Sequence, residues 1–578
     1  MKIDFKKEIE RVLKKHIKEV KIEIPPQDKF GEYSVPLFEK DINDVKKIKI
    51  EIEKDKKISE YFSKINVVGK YLNFFINEDA LKSKVFSEEP RKLKADKFKD
   101  EIVFEYVSPN TNKPLHLGHA FQMTIGNALC NLLEFTGTKT RRVCLINDRG
   151  IHICQSMIAY QKFGKNSNPE SEAIKSDHFV GKYYVLFNQE KIKNPKIDEE
   201  ARELLEKYEN EDKNTIALWK KMNSWALQGI NETFERFGVE FEKFYYESNF
   251  YQEGKKIALD GLKKGIFSKD ENSNIVADLE DKGLGKKVIL RADGTAVYAT
   301  QDIVLAQLKK KDFSKASKLI VLVGNEQNTY FAQLKEILKL LNYKINLEFL
   351  GTGIINLPEG RMKSREGKVV DADHLLDLLK DLAKFKVKEH LEETAQDVSD
   401  KEVDRRSEKI ALAALKFFLL SYDFRKDSVF DPEKNISFQG DTGPYVLYTL
   451  ARINSIIRKA HQENEEKQIK KKIKNVKKSE LAGVENIDLL KEENELKIIK
   501  ILSRLEDKIN DAAKNYKPSI LTRYLLDLCA VFNEYYHSTK VIQENKKLEA
   551  ARLALLHKIK ENLVLSLELL GISSIEEM

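Results

Sequence analysis

Cysteine is scarce and long apolar runs are absent in this sequence of 578 residues. No stretch reaches the roughly 18 apolar residues that a membrane-spanning helix needs, so we expect no membrane anchor. The N-terminus mixes acidic residues with its lysines and lacks an apolar core, which argues against a signal or transit peptide. The four cysteines have no Cys-x-x-Cys spacing and indicate free thiols in a reducing, cytoplasmic environment: Cys130, Cys144, Cys154 and Cys529.

Charged residues make up 34% of the chain, and 101 basic residues outnumber 93 acidic ones. The resulting net charge of +8 is a mild bias that is compatible with a polyanionic partner but does not establish one. Apolar residues, at 41%, are numerous enough to build cores, and the length exceeds what one core usually serves. We therefore expect several domains and find no internal repeat.

A first unit spans residues 1–85. A helical pattern begins at Phe5 and leads to the strand-like run Val20–Ile24, which Pro25 and Pro26 end. A second strand-like run, Tyr71–Ile76, follows, so the unit is expected to be an α+β domain. The charged segment Glu88–Lys97 is typical of a linker.

Strands and helices alternate through residues 99–432, which predicts a Rossmann-type α/β domain with a parallel sheet. Leu117–Phe135 has helical apolar spacing and Gly137 follows it as a stop signal. Residues from about 155 to 285 lack the alternation and are predicted to be a helical insertion. The predicted strands are Ile102–Val107, Arg142–Ile146, Leu319–Val323 and Leu347–Leu350.

The remaining residues, 433–578, have helical apolar spacing throughout and predict an all-helical domain. The spacing is clearest in Leu447–Ile457, Leu521–Phe532 and Leu553–Leu570. Between the first two lies Lys467–Lys478 with seven lysines. Such a run is usually solvated surface, and phosphate contact with a nucleic acid is the alternative.

Two histidines stand three residues apart where a predicted strand gives way to a helix, in the segment from Ser108 to His119. His116 and His119 would lie on the same side of the first helical turn. Gly118 between them would let a base or ribose approach the backbone. Helix N-termini at the end of such strands bind phosphates, although an isolated H-x-x-H pair is a weak signal.

A basic segment, Leu357–Lys368, follows a later strand and is flanked by glycines. A loop of this kind can close over a triphosphate and neutralise the charge that develops there. An ordinary surface loop is the alternative. The pairing of this segment with the two histidines, in this order, favours the phosphate-binding interpretation.

Together the two segments resemble the HIGH and KMSKS signatures of class I aminoacyl-tRNA synthetases. Further segments resemble the arginyl-tRNA synthetase family and cover nearly the whole chain. These segments are Pro25–Tyr33, Tyr71–Phe75, Glu105–Asn110, Asp293–Asp302, Phe438–Tyr445 with Ala451–Arg452, Phe532–Tyr536 and Arg552–Gly571.

The resemblance implies an arginine–tRNA ligase that uses ATP with Mg²⁺, holds no tight cofactor or structural metal, and acts on tRNA(Arg). It implies catalytic roles for His116, His119, Lys113, Arg361, Lys363 and Arg365. It implies ATP contacts from His116, Gly118, His119, Met362, Lys363, Ser364 and Lys368. We also expect a monomer, and the family implies that tRNA must bind before arginine is activated.

Two departures from the family pattern occur. Ser364 stands where the fuller loop pattern has a lysine, and Lys113, just before the histidines, is the candidate for the missing positive charge. The run Asn147-Asp148-Arg149-Gly150 replaces the common Asn-His-x-Gly, and no role is assigned to it.

Arginine selection requires planar acceptors for a guanidinium, ideally a buried carboxylate. Tyr298 and Asp302 are four residues apart and would share a helix face, while Glu105 lies towards the end of the first predicted strand of the α/β domain. By resemblance these three hold the guanidinium. The other arginine contacts implied are Ser108, Asn110 and Gln327.

The helical domain is expected to hold the anticodon stem and loop, and the first unit to touch the tRNA elbow. The residues that the resemblance implies for these contacts are Tyr445, Arg452, Asn533 and Tyr536 in the helical domain, and Tyr71 and Asn73 in the first unit.

Three alternatives remain open from the residues alone. A small-molecule nucleotidylyltransferase would share the histidine motif without needing the helical domain. A non-catalytic RNA-binding paralogue would typically lose motif residues. A metalloenzyme would use His116, His119, His152 and Cys154, which have no recognised zinc spacing.

Overall fold

An antiparallel sheet and four helices form the first part of the chain in the computed structural model, which describes residues 3–25, 27–164, 167–295, 297–358, 370–393, 398–470 and 484–577. The three strands pair in the order β1-β3-β2 around a core that includes Phe5, Leu72 and Phe74. The elements are α1 (Phe5–Leu13), β1 (Tyr33–Pro36), α2 (Ile42–Ile52), α3 (Lys56–Tyr61), β2 (Phe62–Val68), β3 (Tyr71–Ile76) and α4 (Glu78–Ser87).

The predicted strand Val20–Ile24 is not formed as a ladder. Only Glu23 pairs, by exchanging two 2.8 Å backbone hydrogen bonds with Ser34. Pro25 follows two residues later and has no amide hydrogen to donate, so pairing cannot continue beyond it.

Residues 100–436 contain the largest sheet. Its first half comprises β4 (Asp100–Glu105), α5 (Leu117–Phe135), β5 (Thr138–Ile146), α6 (Ile151–Ala159), α7 (Pro169–Glu172), α8 (Ser176–Lys193), α9 (Ile197–Glu209), α10 (Lys213–Arg236), β6 (Lys243–Tyr246) and α11 (Tyr251–Lys263). Its second half comprises β7 (Ser268–Lys269), β8 (Ile275–Asp278), β9 (Lys286–Leu290), α12 (Tyr298–Asp312), β10 (Lys318–Gly324), α13 (Asn328–Leu340), β11 (Leu347–Thr352), β12 (Ile355–Asn356), α14 (Ala372–Glu393), α15 (Asp400–Ser421), β13 (Ser428–Val429) and α16 (Pro432–Asn435).

Five parallel strands pair in the order β11-β10-β4-β5-β6, which confirms the predicted α/β fold class. Helices cover both faces of this sheet, and alternate residues of β4 are therefore buried on opposite sides. Phe104 packs in the core on the α5 side, whereas Val103 packs with Ala299 and Ile303 of α12 on the other. The carboxyl ends of the strands meet at one edge, to which the histidine segment is attached.

The predicted helical insertion, about 155–285, is not helical throughout. Helices α6 to α10 occupy its first part, but β6 then joins the central sheet beside β5. The strands β7, β8 and β9 follow as a small antiparallel sheet. Strand β6 has only four residues, too few for an alternation of polar and apolar residues that would distinguish it from the helices around it.

The last part of the chain is all-helical, as predicted, and consists of α17 (Gly443–Lys470), α18 (Glu493–Leu502), α19 (Leu505–Lys514), α20 (Ser519–Ser538) and α21 (Lys546–Leu569). The first unit packs on it: Tyr33 donates to Asp507 at 3.2 Å, and Lys500 pairs with Glu32 at 2.9 Å. The side chains of the lysine-rich run Lys467–Lys478 are not among those that the structure describes. Within the described ranges, no helix is long and apolar enough to cross a bilayer.

Candidate active site

Two stacked imidazoles mark the start of α5. The backbone amide of His116, the N-cap residue, donates to Nδ1 of His119 at 3.1 Å, and the ring centroids lie 3.8 Å apart with planes 19° from parallel. Because Nδ1 of His119 accepts this bond, the ring proton of neutral His119 resides on Nε2. A Cβ on Gly118 would lie 3.0 Å from the His116 ring, so glycine makes room for the stack.

Both histidines are neutral at physiological pH. Burial, reinforced by the nearby Lys113, lowers the pKa of His116 to about 4, and burial holds the pKa of His119 well below its usual value. Burial also lowers the pKa of Lys113. The pair can therefore donate neutral N–H groups to an anion, and Lys113 supplies the cationic group beside it.

The predicted basic residues Arg361, Met362, Lys363, Ser364, Arg365 and Lys368 lie outside the described residues. The chain immediately after them is held against the histidine segment. Leu117 donates to the carbonyl of Val370 at 3.0 Å, and Ala372 donates to that of Leu115 at 2.9 Å. Backbone hydrogen bonds thus join the histidine segment to the start of α14, just after the basic segment.

Helix α8 of the insertion packs against the histidine segment and is paired with the start of α14. A Cβ on Gly181 would approach Pro114 Cδ to 2.7 Å, so the helix lies directly on the loop that carries Lys113. At its N-terminus, Lys175 Nζ lies 2.7 Å from Asp373 Oδ2 at the start of α14. Although burial opposes it, hydrogen bonds from His178 and Lys175 hold the pKa of Asp373 far below its usual range.

Two groups of described side chains have the spacing of possible metal ligands, and both surround His178. They are His178, Asp371 and His374, and Asp177, His178 and Asp373. Among the described residues, neither group includes the His116, His119, His152 and Cys154 set of the metalloenzyme alternative. Cys154 is instead buried in the insertion core.

The loop after β4 is backbone-strained. Val107, a β-branched residue, has φ of +64°, so the predicted strand Ile102–Val107 ends two residues early, at Glu105. Beyond it, Asn147 Nδ2 donates to the carbonyl of Ser108 at 3.1 Å, and Asn110 forms a bridge with Asn147. Ser108 and Asn110 are half-buried at the carboxyl edge of the sheet, near the histidine stack in sequence.

Tyr298 and Asp302 lie on the first turns of α12, as predicted. Tyr298 is 69% exposed, whereas the Asp302 carboxylate is half-buried and accepts a hydrogen bond from the hydroxyl of Tyr330. Burial raises the pKa of Asp302 to about 6, against the opposing effects of Tyr330 and Lys287. This half-buried carboxylate beside an open tyrosine is suited to a guanidinium.

Two other predicted arginine contacts lie differently from the expectation. The Glu105 carboxylate forms a buried ion pair with Lys309, three turns along α12, so the protein itself already engages it. Burial lowers the pKa of Lys309 to about 7. Gln327 is exposed at the start of α13. Sequence spacing could not show the Glu105 pairing, because it depends on how α12 crosses the sheet.

A second carboxylate, Glu247, was missed by the sequence reasoning and lies against the predicted arginine pocket. It is buried just after β6, and burial raises its pKa to about 7, with Asp148 and Asp302 adding to the rise. A hydrogen bond from Gln301 and the charge of Arg149 oppose that rise. The only sequence feature that could have indicated Glu247 was its position just after β6, and that strand lies in the segment predicted to be helical.

The four candidate tRNA contacts of the helical domain come together around Arg452. Its guanidinium donates to Asn533 Oδ1 at 2.8 Å and lies 4.7 Å from the ring centre of Tyr536. Asn533 in turn donates to the hydroxyl of Tyr445 at 2.9 Å. Tyr448, which the sequence did not single out, accepts a 3.1 Å hydrogen bond from Arg452, and its ring centre also lies 4.7 Å from the guanidinium.

The two candidate tRNA contacts of the first unit differ in their exposure. Tyr71 is half-buried and packs edge-on against Phe38, which is 60% exposed and was not predicted. Asn73 is only 2% exposed on the central strand β3, and its tRNA contact stays a prediction. Asn73 alternates with the core residues Leu72 and Phe74, so it lies on the opposite face of the sheet from them.

The fold and the paired signature segments are those of a class I aminoacyl-tRNA synthetase. Residues 82–432 match the family model "tRNA synthetases class I (R), catalytic domain". Residues 1–76 match "Arginyl tRNA synthetase N terminal domain", and residues 446–578 match "DALR anticodon binding domain".

Full-length relatives agree. An arginine–tRNA ligase of Treponema denticola is 40% identical, covering 97% of this chain and 95% of that protein. One from Phocaeicola vulgatus is 39% identical over 90% of this chain and 88% of its own length. The chain belongs to the arginyl-tRNA synthetase family.

Solved structures show the same fold. Thermus thermophilus arginyl-tRNA synthetase superimposes with a TM-score of 0.80 at 24% identity, covering 99% of both chains. The Plasmodium falciparum enzyme gives 0.74 at 20% identity, covering 99% of this chain and 98% of that one.

Proposed function

We propose that this chain is an arginine–tRNA ligase whose active site lies between the histidine stack and the pocket formed by Tyr298, Asp302 and Glu247. It activates arginine with ATP, supplied as the magnesium complex, and transfers it to the terminal adenosine of tRNA(Arg). The observation that carries the proposal is the pair of half-buried and buried carboxylates, Asp302 and Glu247, beside the carboxyl edge of the sheet. A guanidinium can satisfy both.

In the activation step, the arginine carboxylate attacks the α-phosphorus of ATP and pyrophosphate leaves. His119 donates its Nε2 proton as a hydrogen bond to a phosphate oxygen, and His116 lies stacked against it. Lys113 and the basic segment from Arg361 to Lys368 balance the charge that develops on the leaving group. The protein thus contributes positioning and electrostatics rather than a covalent intermediate.

We further propose that tRNA binding completes the site. Ser364 brings no charge to the basic segment, so the free enzyme has one cation fewer there than the fuller family pattern, and Lys113 is the candidate replacement. Helix α8 rests on the Lys113 loop, and Lys175 at its N-terminus is paired with Asp373 of α14, so a shift of α8 would act on the Lys113 loop and on the start of α14 together. ATP–pyrophosphate exchange with arginine should require tRNA(Arg), and full exchange without tRNA would disprove this.

The proposed domain limits are 1–85, 99–432 and 433–578, with the first unit on the tRNA elbow and the helical domain on the anticodon stem and loop. We propose a cytoplasmic monomer. The candidate contacts are Tyr71 in the first unit and the group around Arg452 in the helical domain. Unpaired bases are typically read by stacking and edge contacts, which exposed tyrosines can provide.

The central test is aminoacylation of total tRNA with each of the twenty amino acids. Only arginine should be attached, because a pocket that leaves carboxylates unpaired strongly rejects other side chains. Attachment of another amino acid, or none, with a folded preparation would contradict the proposal. A nucleotidylyltransferase would instead form a nucleotide product without tRNA.

A further inference from the structure

A buried guanidinium of the protein itself lies beside the arginine pocket. Arg149 stands between β5 and α6, and its side chain is only 9% exposed. It pairs with Glu209 of α9 at 2.9 Å, lies 3.7 Å from Glu247, and stacks on the Tyr251 ring at 3.8 Å. Among the described residues, its Nε has no hydrogen-bond partner.

Asp148, the residue before Arg149, fixes this loop relative to Glu247. The carbonyl of Asp148 accepts from Trp219 at 2.6 Å and from Asn223 at 3.2 Å, both on α10. Its carboxylate accepts from the amide and the hydroxyl of Ser248, at 2.9 and 2.6 Å. Since Ser248 follows Glu247 directly, the loop that carries Arg149 and the segment that carries Glu247 are bonded together.

The two charges also need each other. Removing a carboxylate or a guanidinium from water is costly unless an opposite charge compensates for it. Glu247 is buried, and Arg149 is the nearest cation recorded against it among the described residues. Glu209 provides Arg149 with a second, more exposed carboxylate, so the guanidinium bridges the insertion helix α9 and the pocket.

We propose that Arg149 is a positioning residue for arginine selection, which favours the ionised form of Glu247 and holds it in place so that it can receive the substrate guanidinium. This inference rests on the proposed pocket. It gives a role to the run Asn147–Gly150, where the chain departs from the common family pattern. Asp148 anchors the loop, and Arg149 acts through Glu247 without touching the substrate.

The charge state of Glu247 depends on several neighbours. Those that act on it or on its partner are Arg149 and Asp148 of the loop, Glu209 of α9, Tyr251 of α11, and Tyr298, Gln301 and Asp302 of α12. With Arg149 in place, the pKa of Glu247 is about 7. Because Arg149 lowers this pKa, removing the guanidinium should raise it further, and Glu247 would be protonated at neutral pH.

The test compares Arg149→Met and Arg149→Lys with wild type in aminoacylation at pH 7 and pH 8.5. Arg149→Met should raise the KM for arginine about tenfold at pH 7 and less at pH 8.5, where a larger share of Glu247 is ionised. The KM for ATP should stay within twofold. Arg149→Lys should recover part of the loss, since it restores the charge. Arg202→Met, on a 72% exposed arginine of α9, is the matched control and should behave as wild type.

Selectivity gives a second readout. Citrulline has the shape of arginine but no charge, so protonation of Glu247 should reduce the preference for arginine over citrulline in Arg149→Met. An unchanged KM for arginine, or a loss that is equal at both pH values and not recovered by lysine, would overturn the role of Arg149. Glu247→Gln distinguishes failure of the proposed pocket from failure of the role of Arg149. If this variant binds arginine normally, the proposed pocket is wrong, whatever Arg149 does.

Discussion

Replacing Asp302 by asparagine tests arginine selection with little change of shape. The hydroxyl of Tyr330 donates to the Asp302 carboxylate, and the amide oxygen of asparagine can accept the same bond. The start of α12 should also remain intact, because its capping bonds involve Val297 and Thr300 instead. The substitution therefore removes the negative charge and leaves the packing in place.

The expected loss follows from the interaction that disappears. A hydrogen bond to a charged group contributes about 1.5–3 kcal/mol, and each 1.4 kcal/mol corresponds to about tenfold in rate or binding. We therefore expect kcat/KM for arginine to fall roughly 10- to 150-fold, mainly through KM. The KM for ATP should hardly change, since the histidine stack belongs to a different segment.

Initial rates of aminoacylation over a range of arginine concentrations, at saturating ATP and tRNA, measure this effect. Asp281→Asn is the matched control, because that carboxylate is 70% exposed and remote in sequence from α12's first turns. Unfolding temperatures of both variants would identify a general loss of structure. Unchanged arginine kinetics in a folded Asp302→Asn enzyme would refute the reasoning and remove Asp302 from the pocket.

Three further predictions follow from the geometry. The pKa values of Glu247 and Asp302 are raised to about 7 and about 6, so both carboxylates lose charge as the pH falls from 8 to 6. The KM for arginine should therefore rise roughly tenfold over this range, and a pH-independent KM would contradict both assignments. Lys113→Ala should lower tRNA-dependent ATP–pyrophosphate exchange at least tenfold, and a loss under threefold would make Lys113 a bystander. Arg452→Met should raise the KM for tRNA about tenfold without altering that for arginine, and normal tRNA kinetics would exclude the cluster from the interface.

Elements with strong local periodicity were predictable to the residue. Helix α5 runs from Leu117 to Phe135 as expected, because apolar residues recur at helical spacing and Gly137, with φ of +99°, ends it. Strand β3 likewise matches its predicted bounds. The fold class and the identity of the signature segments also came from the sequence, because local spacing and residue type are enough to specify them.

Tertiary structure decided what each candidate side chain faces. The Glu105 carboxylate pairs with Lys309 across more than 200 residues, Glu247 comes close enough to Asp302 for the two charges to interact because β6 joins the sheet, and Asn73 is buried on a central strand. Arg149 became interpretable only when Glu209 and Glu247 were found on either side of it. Burial and charge pairing depend on chain crossings between distant segments, and periodicity along one segment carries no information about which partner lies across the gap.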